Sequence, residues 1–160
     1  MSDIDLITRE IESLEDLASE IESQVINLIE GTSLLYKPGS PGVISGFPNY
    51  EWAPIPENLK LTQRTVIRNY QRYFSSALYF IKDFLPEREE EFQASYEDKD
   101  YFHSPGIMDF LQFKRRQRST NKNEIIDKFS DKFEIQRSIL LSIPFIAKIK
   151  EKNLREVISA

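Results

Sequence analysis

Hydrophobic residues between Thr62 and Leu85 recur at intervals of three and four, which is the spacing of one broad buried helix face. The opposite face carries three arginines one turn apart, Arg64, Arg68 and Arg72, which we call the arginine stripe. We therefore predict a central helix that is capped by Thr62 and ended by Pro86. This helix supplies both a core element and a basic surface. The predicted core positions are Val66, Ile67, Tyr70, Tyr73, Phe74, Ala77, Leu78, Ile81, Phe84 and Leu85.

The first 30 residues have the pattern of a second long helix, with Ser2 or Asp3 as its cap and Gly31 as its C-terminal stop. Its apolar residues follow a heptad pattern for four repeats, a length that is compatible with a coiled coil. Two alternatives stay open: the helix packs inside a bundle, or it pairs with another chain. The heptad positions are Ile4, Ile7, Ile11, Leu14, Ala18, Ile21, Val25 and Leu28.

Residues 31–61 hold five of the eight prolines and four of the five glycines, so the sequence predicts a long loop there. Four aromatic residues lie within it: Tyr36, Phe47, Tyr50 and Trp52, the single tryptophan. These rings either cover the core or dock a partner, with Trp52 as an anchor. A short strand at Val43 and Ile44 is conceivable, but no sheet is predicted.

The rest of the chain continues the helical pattern, so the predicted fold is a single all-α domain. It is a bundle of four to five helices, with a long Pro/Gly/aromatic loop between the first two and a helical core over residues 62–160. The later elements predicted are a short helix from Glu87 to Tyr96, a turn region from Glu97 to Gly106, a helix from Ile107 to about Arg118, a helix capped by Asn121, and a final piece from Phe145 to Val157 after a kink or stop at Pro144.

Composition favours a globular protein: 40% of the 160 residues are hydrophobic and 12% are aromatic. The absence of cysteine excludes disulfides and thiolate metal sites. Without a long apolar run or a leader pattern, we expect a cytoplasmic, bacterial protein that does not contact a membrane. The net charge of −5 is divided into blocks, with nine acidic residues and one basic residue among the first 30. Net acidity argues against a protein that coats nucleic acid.

Catalytic patterns are missing from the sequence, so no enzyme activity, no metal and no cofactor are predicted. The single histidine, His103, lacks a second histidine for a di-metal carboxylate site. Small helical ribonucleases of bacterial toxin and defence systems place an arginine shortly before the histidine, but Tyr96, Glu97 and Asp98 occupy the candidate positions. No catalytic residue is assigned.

Two basic groups are candidates for phosphate contact. One is the arginine stripe, and the other is a basic cluster formed by Lys114, Arg115, Arg116 and Arg118. Grouped guanidiniums can hold phosphates, and neighbouring tyrosines could stack bases. The favoured alternative is that the basic groups pair with the acidic first helix or with residues 87–91.

The run Arg68-Asn69-Tyr70-Gln71-Arg72-Tyr73-Phe74-Ser75-Ser76-Ala77-Leu78, continued through Phe84-Leu85-Pro86-Glu87-Arg88 to Phe92, resembles a helical domain of uncharacterised bacterial proteins, some of them linked to antiphage defence loci. The resemblance covers about 25 residues and includes no catalytic motif. It implies an accessory or effector-associated helical module, and it assigns no functional residue.

The sequence therefore predicts a non-enzymatic helical interaction or assembly module, an accessory or effector-associated subunit of a bacterial complex. Its partner is a second copy or a larger effector, and we expect an oligomer or a complex subunit. The alternative is a nucleic-acid-contacting accessory subunit that uses the arginine stripe and the basic cluster. The predicted protein contacts are Ile4, Ile7, Ile11, Leu14, Ile21, Val25, Leu28, Phe47, Tyr50 and Trp52.

Overall fold

Helices dominate the fold, which confirms the predicted all-α class. The computed structural model describes residues 3–37, 49–97 and 105–159. The four long helices α1, α2, α5 and α6 form the bundle, and a 3-10 turn at Pro86–Arg88 precedes α3. The elements in chain order are α1 (Asp3–Gly31), β1 (Leu34–Tyr36), β2 (Tyr50–Trp52), α2 (Glu57–Phe84), α3 (Glu89–Ala94), α4 (Ile107–Gln112), α5 (Lys122–Leu141) and α6 (Ile143–Ser159).

An aromatic cluster between α2 and α5 forms the centre of the core. Phe133 lies edge-on to Tyr70 and Tyr73, with ring centroids 5.9 and 5.4 Å apart. Phe129 lies 5.7 Å from Phe133 on the next turn of α5. All four side chains are fully buried. Edge-to-face and offset geometries are the favourable arrangements for such rings. The broad face predicted for the central helix is therefore the face that builds the core.

A buried glutamine, Gln136, connects three helices through polar contacts. Its Oε1 accepts a hydrogen bond of 2.9 Å from the hydroxyl of Tyr70 on α2. Its Nε2 donates one of 3.0 Å to the backbone carbonyl of Phe92 on α3. Gln136 itself is on α5 and is fully buried. Burial of an amide is tolerated here because both of its ends are hydrogen-bonded.

The apolar stripe of α1 packs inside the chain's own core. Ile7 and Leu17 are partly buried against it, and Ile4 is half-buried at the helix start. This is the first of the two alternatives for the heptad pattern, packing within the bundle. The α1 residues that are buried are Ile11, Leu14, Ala18, Ile21, Val25, Leu28 and Ile29.

The loop between the first two helices contains a small antiparallel sheet that was not predicted. Leu34 pairs with Trp52, and Tyr36 pairs with Tyr50. Tyr50 also exchanges two backbone hydrogen bonds of 2.9 Å with Gln117, beyond α4. Three-residue strands are too short to produce a periodic signal, so the sequence pattern missed them. The suggested strand at Val43 and Ile44 lies outside the described residues.

The central helix begins at Glu57, so the predicted cap at Thr62 is wrong. Pro56 is the N-cap residue, and its carbonyl accepts a hydrogen bond from the Leu59 amide. Prolines favour extended backbone before them but are tolerated at helix starts, so the helix begins directly after the last proline. The additional turn is used in packing, because Leu59 is partly buried against the core and lies beside Gly31 at the end of α1.

The helix predicted to reach Arg118 ends at Gln112, so that boundary is also wrong. Phe113 adopts a left-handed conformation with φ of 55°, which terminates the helix. The basic cluster therefore lies in a non-helical segment, where Gln117 pairs with β2. The helix predicted for residues 87–96 is likewise shorter, and α3 covers Glu89–Ala94.

Two predicted helix signals are confirmed at the ends of α5. Asn121 is the N-cap, and its Oδ1 accepts a hydrogen bond of 3.1 Å from the Asn123 amide. At the other end, α5 stops at Leu141, and α6 begins at Ile143 with Pro144 in its first turn. Proline is well tolerated at that place because the first-turn amides have no partner within the helix.

We expect Gly106→Ala to lower the free energy of unfolding by about 1–3 kcal/mol, the usual cost of overpacking. A methyl group on Gly106 would lie 2.4 Å from the backbone Cα of Glu97, which cannot move independently. Gly31→Ala is the matched control. Its methyl would meet the flexible end of the Leu59 side chain at 2.5 Å, so a smaller loss is expected. Thermal or urea unfolding of both variants measures the difference, and equal losses would contradict the prediction.

Candidate protein-interaction surfaces

The arginine stripe lies on the solvent side of α2, and Arg64, Arg68 and Arg72 are all exposed. Residues four apart advance about 6 Å along a helix and about 40° around it. The three arginines therefore span about 12 Å and an arc of about 80°. The buried residues of α2 lie on the opposite side of the helix. The stripe points directly away from the core, as the sequence predicts.

Within residues 3–37, 49–97 and 105–159, none of the three arginines has an ion pair or a side-chain hydrogen bond. Two of the acidic residues suggested as their partners bind other cations. Glu89 pairs with Lys82 at 3.7 Å, and Glu91 pairs with Arg88 at 3.1 Å. The favoured alternative, pairing with the protein's own acids, is therefore not seen for the arginine stripe in the described ranges.

Arg137 on α5 is the cation that joins the acidic α1 to the bundle. It contacts Glu15 and pairs with Glu22 at 3.1 Å. Its hydrogen bond to Glu15 raises the pKa of the guanidinium, so the charge is permanent. Only 12% of the Arg137 side chain is exposed. Because two carboxylates compensate the charge, this site is a structural link between helices and leaves no free binding capacity.

Two exposed side chains continue the surface of the arginine stripe at its ends. Leu61 is 71% exposed and Tyr79 is 72% exposed. By helical geometry both fall within the arc of the three arginines. Arginine and tyrosine are the residues that interfaces favour, because they combine a polar end with a large contact area. The arginine stripe is thus flanked by an exposed apolar side chain at one end and an exposed aromatic side chain at the other.

The basic cluster is partly neutralised by the protein itself. Arg115 pairs with Asp109 at 3.7 Å, and Arg116 pairs with Glu51 at 3.2 Å. A shallow concavity of about 430 Å³ opens over the cluster. The arginine stripe is therefore the less compensated of the two predicted phosphate sites. The residues that line the concavity are Asn49, Lys114, Arg115, Arg116, Gln117 and Arg118.

Of the loop aromatics that the structure describes, Trp52 covers the core, whereas Tyr36 remains exposed. Trp52 lies edge-on to Phe113, with ring centroids 4.7 Å apart, and it packs against the core while half-buried. Tyr50 lies edge-on to Tyr36 at 5.9 Å. Phe47 lies outside the described residues. For Trp52 the structure therefore shows the core-covering arrangement, the first of the two alternatives.

Sequence reasoning missed an apolar surface on α6. Four large side chains on this helix remain exposed, although the helix also supplies the buried Ile143 and Ala147. The helical period shows two groups: Leu154 and Val157 continue the face of Ile143 and Ala147, whereas Phe145 and Ile149 lie on a different face. The exposed residues are Phe145, Ile149, Leu154 and Val157, with exposed fractions of 55–74%.

The structure contains no metal-type grouping of three His, Cys, Asp or Glu residues within the described ranges. His103, on which the acid–base hypotheses depend, lies outside them. None of the helices in those ranges has both the length and the apolar character required to cross a membrane.

Comparison with known proteins leaves the family open. No protein-family model matches the chain, and neither a curated protein nor a solved structure matches it. The resemblance of residues 68–92 to a helical domain of bacterial proteins therefore stays a prediction. The function has to be argued from the surfaces described above.

Proposed function

We infer that this protein is a non-enzymatic helical interaction module, an accessory subunit that binds an acidic protein surface through the arginine stripe. The observation that carries the proposal is the line of three exposed arginines without an ion pair in the described part of the chain. Leu61 and Tyr79 extend the same surface. The heptad residues proposed from sequence as contacts are less suitable, because five of the seven are buried in the core.

Like charges one turn apart on a helix repel each other, at about 0.2–0.5 kcal/mol per pair. The stripe contains two such pairs, Arg64 with Arg68 and Arg68 with Arg72. A carboxylate-bearing partner would remove this repulsion and gain attraction at the same time. The stripe is therefore better suited to a complex than to the isolated chain.

A protein partner fits the surroundings of the stripe better than a phosphate backbone does. The neighbouring helix α1 exposes Glu12, Asp16 and Glu20. Packed helices have axes about 8–10 Å apart, which is close to the Debye length at physiological salt. A polyanion along α2 would therefore feel repulsion from α1 where Asp16 and Glu20 lie level with the arginine stripe. A short acidic protein segment can avoid that contact.

Binding of a helical peptide with glutamate at every fourth position tests the proposal. Fluorescence polarisation at low salt is expected to show binding that weakens as salt rises. The variant Arg64→Ala/Arg68→Ala/Arg72→Ala should lose about tenfold in affinity, since about 0.5 kcal/mol per arginine adds up to that factor. The matched control, Lys128→Ala/Lys148→Ala/Lys152→Ala, removes three exposed charges elsewhere and should bind like the parent.

A nucleic-acid duplex serves as the competing probe in the same assay. If the duplex binds more tightly than the peptide, and the triple arginine variant loses that binding, the nucleic-acid alternative replaces our proposal. Equal peptide binding by the parent and the triple arginine variant would also overturn it, because the stripe would then not be the site.

A further inference from the structure

The exposed side of α1 has a charge pattern that matches the arginine stripe. Glu12, Asp16 and Glu20 follow each other at four-residue intervals, and we call them the acidic stripe. All three are exposed, and none has an ion pair in the described ranges. Glu15 and Glu22, which Arg137 binds, lie on a more buried part of the same helix. Three of the acids on α1 are therefore left for an external partner.

The two stripes have the same dimensions. Each consists of three like charges that span about 12 Å of a helix and an arc of about 80°. On both helices the stripe lies opposite the buried residues. The stripes therefore point to solvent and do not meet within one chain, although α1 packs closely against α2.

The height of a residue along the helix axis can be compared between α1 and α2, because one contact shows how the two helices are aligned. Gly31, at the end of α1, lies against Leu59 near the start of α2, so the two helices are antiparallel. With a rise of about 1.5 Å per residue, Glu20 and Arg68 lie about 16 and 14 Å from that point.

The next residue of each stripe also lies at a similar height along the helix axis. Asp16 and Arg72 lie about 22 and 20 Å from the meeting point of the two helices. Measured along the helix axes, two residues of each stripe therefore lie at similar heights. Glu20 is level with Arg68, and Asp16 is level with Arg72.

We propose that the acidic partner of the arginine stripe is a second copy of this chain, whose α1 lies on α2 of the first. A two-fold axis parallel to the helices exchanges the roles of the two copies and keeps the heights of all residues. It brings Glu20 of one copy to Arg68 of the other, and Asp16 to Arg72. The contact occurs twice, which is the self-complementarity of a two-fold dimer. This inference rests on the proposed function of the stripe.

The dimer is expected to be reversible and sensitive to salt, because exposed ion pairs are individually weak. The overlapping part of the interface is neutral, because Arg68 and Arg72 each face a carboxylate. This offsets the like-charge repulsion between these two arginines and between Asp16 and Glu20. A self-dimer through the acidic helix α1 alone would not do so, because its carboxylates would face each other.

Charge reversal with rescue tests the proposal. Light scattering after size exclusion measures the mass over a range of concentrations, at about 50 mM and about 500 mM salt, between which the Debye length shrinks about threefold. The parent is expected to dimerise at low salt and to dissociate at high salt. Arg68→Glu/Arg72→Glu and Asp16→Lys/Glu20→Lys should each raise the dimer dissociation constant by about tenfold or more, because attraction becomes repulsion.

Mixing the two variants should restore dimers, since each then offers the charge that the other lacks. The chain that carries all four substitutions should also dimerise, which excludes misfolding as the cause of the losses. Lys148→Glu/Lys152→Glu is the control and should behave like the parent. A parent that is monomeric at low salt would overturn the proposal, as would a dimer that both reversals leave intact or a mixture that stays monomeric.

These outcomes are separate from those of the peptide assay. A monomeric parent that still binds the glutamate peptide through the stripe would overturn the second-copy proposal and leave the proposed function standing. A monomeric parent that binds no peptide would overturn both.

Discussion

Replacing Phe133 with alanine is expected to lower the free energy of unfolding by about 3–5 kcal/mol, the usual cost of removing a fully buried phenylalanine. The ring contacts Tyr70, Tyr73 and Phe129, so its loss leaves a cavity between α2 and α5. These rings belong to two different helices and cannot collapse into the space without shifting the backbone. Urea unfolding followed by circular dichroism measures the change.

Phe145→Ala is the matched control for this substitution. Phe145 is 69% exposed on α6, so removal of the same ring should change stability by about 0.5 kcal/mol or less. A small effect of Phe133→Ala, equal to that of Phe145→Ala, would show that the two rings are not differently packed and would contradict the described core. A large effect of both would place Phe145 in an interface.

Stability is expected to fall steeply above pH 10 because of the two buried tyrosines. Burial raises the pKa of Tyr70 and of Tyr73 above the ordinary value of 10.0. Above pH 10 the unfolded chain releases these protons, whereas the folded chain keeps them. The stability present below pH 10 is therefore lost as the pH rises towards the pKa values of the folded state. Each tyrosine lowers the folding equilibrium constant by about tenfold per pH unit in that window.

Two single substitutions separate this effect from the titration of lysines. Tyr73→Phe removes one of the two groups, and the hydroxyl it deletes has no hydrogen-bond partner among the described residues. It should therefore fold well and have about half of the alkaline slope. Tyr79→Phe, at an exposed position, should keep the full slope. Urea unfolding at several pH values between about 9 and 11 provides the comparison. Identical slopes for all three proteins would contradict the prediction.

The long helices could be predicted from the sequence because each buries one continuous face. The helix boundaries were less predictable, because they depend on the conformation and packing of single residues. Thr62 is a good capping residue, so the sequence predicts a cap there, but capping preference is a weak term compared with the packing that the turn after Pro56 gains. The end of α4 depends on the left-handed backbone conformation of Phe113. Phenylalanine rarely adopts this conformation, so the sequence contains no signal for it.

The candidate surfaces were predictable in part. The exposure of the arginine stripe follows from the helical period alone, and the structure agrees. The pairing of Arg115 and Arg116 with Asp109 and Glu51 could not be read from the sequence, since it depends on how distant segments approach each other. The choice between core packing and coiled coil for α1 was open for the same reason, because both bury the same residues.

The hydrogen bonds of Gln136 have a consequence for how many ways this bundle can be packed. Apolar faces of neighbouring helices tolerate sliding by a turn, because one aliphatic contact can replace another. Such a slide of α5 against α2 would separate Gln136 from Tyr70 and leave an amide and a hydroxyl unpaired in an apolar interior, at a cost of about 1–3 kcal/mol for each. Gln136 thereby selects a single register of α5 against α2, the helix that carries the arginine stripe.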